Sequence, residues 1–590
     1  MISNRKVDVL IIGGGAAGVR AAIEAKKTCT SNKVALVTEG LLGKSGVTAN
    51  ACSDRMTFHA TLPYTLPTGK DNWKYHAQDI YKIGGFVSDK ELADILAKNS
   101  GEALTYLESL GVPWVKKDGK INQFLTDGSK YPRGCYTGPD TAQQILIALI
   151  RELKRLNIEV IENYTAVKLL ASFKKERVIG CLGFKQGKKE ESPLVFFANT
   201  IVLATGGAGD IYEKSLFPSG MTGDGYSIAY NCGAEIVNIE FIQIGLSSVK
   251  TGLACSGSLM RAIPRIVNEK DEEFISNSFN LIFKKGSSWP LCSEDDSSKI
   301  DIAIYREIQK GSKVYLDYSR DPRGFDFNNL NSGLKEQYFT ESSRNIGIDT
   351  PLNRLREINL ESIIWLKENG INLEEDDKIE IFPFIQHFQG GVKINNEGGT
   401  TVKELFACGE VAGGQHGANR PGGNALLDTQ VFGKIAGKSA SIEAKKNRGL
   451  KVDEEKILER IQNEIDEISI NKQGAQASDV KRQVQDILFE CVNVIRTEDG
   501  LSKGLEGINI VKEKGVRLDN NGIIYYFKTL GALVVAEMLI RAARLRSESR
   551  GPHVTFINGR LAPRDELKWR KYIIIRKINN EMKITVRKPG

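Results

Sequence analysis

The stretch that most constrains this chain is VDVLIIGGGAAGVRAAIEAKK near its N-terminus. A strand-like run, Val7–Ile12, apolar throughout but for Asp8, meets Gly13-x-Gly15-x-x-Gly18 and then a segment with small residues at helical spacing. A strand apolar on both faces belongs inside a parallel sheet, and parallel strands need helical crossovers, so the expected fold class is α/β. The first glycine permits a tight turn, the second lets a pyrophosphate approach, and the third lets helix and strand pack. The helix N-terminus then faces the phosphate charge. Next, VALVTEG reads as a second strand with Glu39 at its end, 21 residues past Gly18, where a carboxylate would accept from a ribose hydroxyl. The unit reads as a dinucleotide site.

Two later stretches repeat the pattern. ANTIVLATGGAGDIY is a strand ending in a glycine turn, and TGDG follows it with Asp224 set between glycines to accept from a ribityl or ribose hydroxyl. LFACGE, ending in Glu410, is the third strand end. Several separate glycine-rich strand ends suit an extended FAD, where a nicotinamide enzyme usually shows one. After Glu410 comes HGANRPGGNALLD, His416 to Asp428, with little apolar surface and many polar groups that need partners. It reads as a loop holding something polar, in which Arg420 offers a planar fork for a carboxylate.

Length and composition set the outer bounds. At 590 residues the chain should divide into two to four domains. No apolar run reads as reaching the roughly 18 residues of a membrane span, and MISNRKVDVL carries no signal-peptide pattern, so a cytoplasmic location is expected. The nine cysteines stand singly, without CxxC, so neither a disulfide framework nor a metal site is expected, and any iron–sulfur cluster would sit on another chain. The net charge of +8 is largely local, since residues 564–588 carry nine basic against three acidic side chains; a nucleic-acid surface is not expected.

Helical periodicity marks Ser88–Gly111 and Asp140–Leu156, followed by the strand IEVIENYTAVKLL and a return strand near Val178–Phe184. His59 and His76 stand near aromatic residues and receive no role. Residues 244–345 break the αβ rhythm, while Lys451–Asp466 and Val480–Val494 are helical in period. YIIIRKINNEMKITVRK alternates around Asn579-Asn580 as a basic β-hairpin whose charge reads as a solvated face.

Taken together, Gly13–Gly18, ATGGAG, TGDG, EFIQ, HFQGGV, HGANRPGGNALLD and SESRGPH resemble the flavoprotein subunit of succinate dehydrogenase and fumarate reductase, and L-aspartate oxidase. The resemblance implies a Rossmann-type FAD-binding domain (1–237 and 351–445), an inserted α+β capping domain (238–350), a helical C-terminal domain (446–545) and an extension with the hairpin (546–590). FAD contacts are expected at Gly13, Gly14, Gly15, Ala16, Ala17, Gly18, Thr38, Glu39, Ser45, Thr48, Ala204, Thr205, Gly206, Asp224, Gly409, Glu410, Asn424, Ala425 and Leu426. A small carboxylate substrate would lie under the flavin, with His387 and Arg420 on the family's substrate-binding His and Arg, and with His416 orienting Arg420 or the flavin. The family's proton-transfer arginine falls on Arg261, with Arg265 as the alternative. An iron–sulfur subunit is the implied electron partner.

Three departures qualify the likeness. Ile244-Gly245-Leu246-Ser247 stands where the family carries a histidine, RGEGG is replaced by SLMRAIPR, and Lys44-Ser45-Gly46-Val47-Thr48 lacks the histidine that tethers FAD in respiratory members. The last implies noncovalent FAD. Three readings follow: an FAD oxidoreductase acting on a carboxylate, an L-aspartate oxidase, or a flavoprotein that only relays electrons.

Overall fold

The computed structural model describes residues 2–589 apart from 127, 173–176, 188–190, 276–278, 289, 342–349 and 449–451. Its central sheet begins with Ser3–Ile12, whose last four residues are buried as a run apolar on both faces requires. This strand pairs in parallel with Val34–Val37 on one side and Glu191–Leu203 on the other. Glu159–Ile161 extends the parallel part beyond Val34–Val37, and Leu405–Ala407 adds to Glu191–Leu203. Tyr164–Ala171, Val178–Gln186 and Glu191–Leu203 form an antiparallel meander on the same sheet. The helices Ala16–Thr28 and Asn424–Lys446 pack against each other and against this sheet.

A second sheet, fully antiparallel, orders Ile242–Ser248, Ile379–Phe388, Val314–Asp317 and Arg265–Asn268. It has its own apolar core, running from Leu246 to Ile381, which takes in Leu355, Ile358, Ile363 and Leu366 of helix Pro351–Glu368. Residues 351–381, placed with the FAD-binding domain by the sequence division, thus pack into this capping core. The C-terminal helices Ala477–Cys491, Glu498–Lys514 and Gly522–Leu545 share the first core with the central sheet.

Gly522–Leu545 is long and apolar enough, by length and composition, to cross a membrane, contrary to the expectation from the sequence. Lys528, Glu537 and Arg541 interrupt its apolar run, which is why it does not read as a span. Most of its apolar face is buried between helices Ala477–Cys491, Glu498–Lys514 and Asp224–Asn231 and the central sheet. The terminal hairpin, Tyr572–Ile578 with Glu581–Arg587, turns at Asn579 and Asn580, both at positive φ. Its inner strand is no appendage: it pairs with Ile236–Val237 in a sheet that also holds Gly391–Lys393 and Ala412–Gly413.

Candidate active site

Parallel register brings the three glycine turns to one edge of the central sheet. Ile12 lies beside Val37 and Leu203, and Leu203 beside Ala407, so the chain leaves all these strands at the same end. Lateral hydrogen bonds hold the turns there: Gly13 N–H donates to Val37 O at 2.9 Å, Ala204 N–H to Ile12 O at 2.8 Å, and Cys408 N–H to Leu203 O at 3.0 Å. Ligands of open α/β sheets bind beyond such carboxyl ends. A cavity of about 810 Å³ opens there.

The glycines do what their positions require. Gly13 sits at φ +121°, a conformation other residues rarely adopt, and a side chain there would strike Ala204. A side chain on Gly18 would strike the Gly13 backbone, so Gly18 serves the contact between strand and helix and does not reach the cavity. The helix Ala16–Thr28 starts without a side-chain cap, while Thr48 Oγ1 accepts from Ala16 N–H at 3.3 Å.

Of the expected cofactor contacts, Gly13, Gly14, Gly15, Ala16 and Ala17 line the cavity, as do Thr38, Glu39, Ser45 and Thr48. Ala204, Thr205, Gly206, Asp224, Glu410, Ala425 and Leu426 complete this wall. Gly409, at φ +69°, instead packs against Ala17, and Asn424 lies wholly buried behind the wall.

The same cavity is lined by His387, Arg420 and Arg261, which with Glu410 come from four segments. His387 lies in strand Ile379–Phe388 opposite Gln243. Burial, with the nearby Arg420 and His416, holds its imidazole well below the usual histidine range, so it is neutral at pH 7. Its Nδ1 is buried without a hydrogen-bond partner. Among the described residues the Arg420 guanidinium donates one hydrogen bond, a long 3.4 Å contact to Pro421 O, and its Nε is buried without a partner. Desolvation lowers its pKa to about 10, against the pull of Glu410 and Asp428, which leaves it a cation at neutral pH. Glu410 accepts from Phe388 N–H at 2.9 Å, and burial pushes its carboxyl up to about 8.

His416 is the residue expected to orient Arg420 or the flavin. It is buried outside the cavity lining, makes no hydrogen bond from either ring nitrogen among the described residues, and lies edge-on to His387 with ring centres 6.3 Å apart. Its Nε2 faces Asp428 at 3.8 Å.

The two candidate arginines separate clearly. Arg261 ends the short helix Gly257–Arg261, lines the cavity and donates to Gly286 O at 2.7 Å. Arg265 is 4% exposed and faces Asp317 at 2.6 Å, Glu273 at 3.0 Å and Asp271 at 3.4 Å, away from the cavity. Three carboxylates saturate it.

Three residues without a motif also matter here. Arg55 lines the cavity; it donates to Ile358 O at 3.0 Å, its guanidinium lies 5.7 Å from the Phe124 ring, and it has no carboxylate partner among the described residues. His59 and His76 converge on one atom: His59 Nδ1 is 2.8 Å and His76 Nε2 3.0 Å from Asn424 Oδ1. Burial lowers the pKa of both, His76 to about 3, so each is neutral and each donates to that oxygen. Thr126 and Thr61 hydroxyls then serve the remaining ring nitrogens. The pair anchors the N-terminus of helix Asn424–Lys446, which begins one residue after the cavity-lining Gly423. Asn424→Ala would orphan two buried donors, and we expect it to cost about 2–4 kcal/mol, read as a lowered thermal midpoint.

FAD fits this arrangement. The glycine cradle has no room for side chains, the Thr205 hydroxyl and Arg420 Nε are buried without partners, and the volume suits a large, mostly enclosed ligand. Comparisons with known proteins agree. The FAD binding domain family matches residues 8–426, and the fumarate reductase flavoprotein C-terminal family matches residues 481–588. An uncharacterized FAD-dependent oxidoreductase of Methanocaldococcus jannaschii is 34% identical over 585 residues, covering 97% of this chain and 96% of its own. A CoM/CoB fumarate reductase polypeptide of Methanothermobacter marburgensis is 29% identical over 564 residues, covering 92% and 93%. A solved E. coli quinol fumarate reductase superposes with a TM-score of 0.78 at 22% identity, covering 100% of this chain and 97% of that one, which shows the shared fold. With one family spanning most of its length and relatives matched nearly end to end, this chain belongs to the FAD-dependent oxidoreductases of the fumarate reductase and succinate dehydrogenase flavoprotein family.

Proposed function

We propose that this oxidoreductase acts on a small carboxylate bound between Arg420, His387 and Arg261, with FAD held noncovalently. The carrying observation is the unspent guanidinium of Arg420: a partly buried cation with an unpartnered Nε on the cavity wall is costly unless an anion completes it. When bound, FAD supplies hydride transfer at its N5 atom.

The chain's own residues supply binding, orientation and charge. Arg420 offers a fork that orients a carboxylate in one plane. Neutral His387, held in a strand, donates toward a carboxylate or carbonyl oxygen where negative charge develops. Arg261, on the capping side, is the cation placed to hold or deliver a proton at the substrate carbon. Arg261→Gln should retain FAD and lower turnover about a hundredfold, measured in steady-state assays beside flavin content. A loss no larger than that of Arg265→Gln in folded protein would remove Arg261 from this role.

Support for noncovalent FAD lies in residues 44–48, Lys-Ser-Gly-Val-Thr, which offer no histidine beside the cradle. Acid precipitation should leave intact FAD in the supernatant; flavin retained in the pellet would refute this. The names of relatives as flavoprotein subunits support a separate iron–sulfur chain as electron partner. Iron coeluting with the protein from native extract would be the sign of it, and elution alone in fully active form would oppose it.

The deciding experiment is anaerobic. Dithionite-reduced holoprotein is mixed with fumarate and other unsaturated acids in turn while flavin absorbance is followed. Rapid reoxidation by one acid supports the proposal and identifies its substrate class. If no acid reoxidises the flavin but air does, and L-aspartate reduces it again, the carboxylate is an amino acid and the chemistry that of an oxidase; if neither unsaturated acids nor L-aspartate change the flavin, the proposal fails.

A further inference from the structure

Lys528 lies on helix Gly522–Leu545, far in sequence from every nucleotide-binding motif, and is 7% exposed. A lysine is almost never buried so deeply without partners. Its partners are Glu39 Oε1, in direct contact, Gly220 O at 2.5 Å and Asp224 Oδ2 at 3.7 Å. Glu39, Gly220 and Asp224 all line the cavity, while Lys528 stands behind them. Lys481 repeats the arrangement next door, 2.7 Å from Asp210, whose carboxylate also accepts from Gly220 N–H at 2.8 Å.

We propose that Lys528 is a positioning residue for the adenosine half of FAD, through which the C-terminal helices hold the ribose acceptor in place. Glu39 lies two residues past the second strand of the dinucleotide unit, where the acceptor of a ribose hydroxyl belongs. With one carboxylate oxygen fixed by Lys528, the other is left for the cavity. The cation also balances charge. Glu39, Asp224 and Asp210 face Lys528 and Lys481, so losing Lys528 doubles the local negative excess beside a binding site for pyrophosphate, itself dianionic.

The test compares FAD with FMN, which carries the same ring and ribityl chain but no adenosine. Flavin-depleted full-length protein is titrated with each, following flavin fluorescence, for wild type, Lys528→Met, Lys528→Arg, Glu39→Gln and the double variant Glu39→Gln/Lys528→Met. Lys528→Met should weaken FAD about tenfold and FMN, which carries a phosphate but no ribose for Glu39, clearly less, and Lys528→Arg should recover most of the loss. The double variant should bind FAD no worse than Glu39→Gln alone, because both changes remove one contact. Equal weakening of FAD and FMN, or additive losses in the double variant, would overturn the proposal. Should Lys528→Met fail to fold, Lys528→Gln takes its place in the same cycle.

Discussion

Replacing Arg420 with alanine is expected to lower turnover by about a thousandfold or more while FAD content stays near one per chain. The side chain reaches the cavity from the loop before helix Asn424–Lys446, and its only described hydrogen bond is the long one to Pro421 O. Among the described residues no ion pair or short hydrogen bond is therefore lost with it, and Arg420 touches none of the cradle glycines through a hydrogen bond. What disappears is the anion site. Lysine at this position would keep the charge without the planar fork, so Arg420→Lys should fall between wild type and alanine. Steady-state turnover with the acid found by flavin reoxidation, read beside the ratio of flavin to protein absorbance, checks both variants. Isolation of Arg420→Ala as apoprotein would make Arg420 a cofactor anchor instead of a substrate clamp.

Much of this is legible in the sequence. A motif is readable when backbone geometry alone demands its residues, as the turn at Gly13 and the contact at Gly18 do, and the sheet then brings the predicted strand ends into register. The choice between Arg261 and Arg265 is not readable, since both lie in one short segment. It takes strand pairing across the capping sheet to set Asp317 against Arg265 and spend its charge. The core that residues 351–381 join is unreadable for a related reason: helix Pro351–Glu368 has an ordinary amphipathic pattern, and only tertiary contacts say which core its apolar side meets. His59, His76 and Lys528 carry no local signal at all. Their partners, Asn424 and Glu39, lie hundreds of residues away, and a lone buried histidine or lysine looks the same in sequence whatever it touches.

Glu410 carries the second large effect, and its sign follows from burial. Desolvation raises its folded-state pKa to about 8 from an ordinary 4.5, opposed by Phe388 N–H and Arg420. Between these values the folded protein holds a proton that the unfolded chain releases, so the contribution of Glu410 to stability is highest below pH 4.5, falls as pH rises through the window, and levels above about 8. The expected loss is about 2–4 kcal/mol, less than the full shift would give, because part of the carboxyl faces the open cavity. Urea unfolding of flavin-depleted protein from pH 5 to 8.5 should show that slope in wild type and not in Glu410→Gln, and the difference between the two isolates Glu410 from other titrating groups. His387, whose pKa is lowered, acts in the opposite sense, its contribution being lost as pH falls. Parallel pH curves for the two proteins would mean that Glu410 is ionised throughout. The consequence for the site is direct: a protonated Glu410 at neutral pH leaves the Arg420 cation unneutralised by its acidic cavity neighbour, and the charge remains available to an incoming carboxylate. Ionised Glu410 would compete for that same guanidinium, so a substrate carboxylate should bind more weakly above pH 8, and Glu410→Gln should abolish this loss.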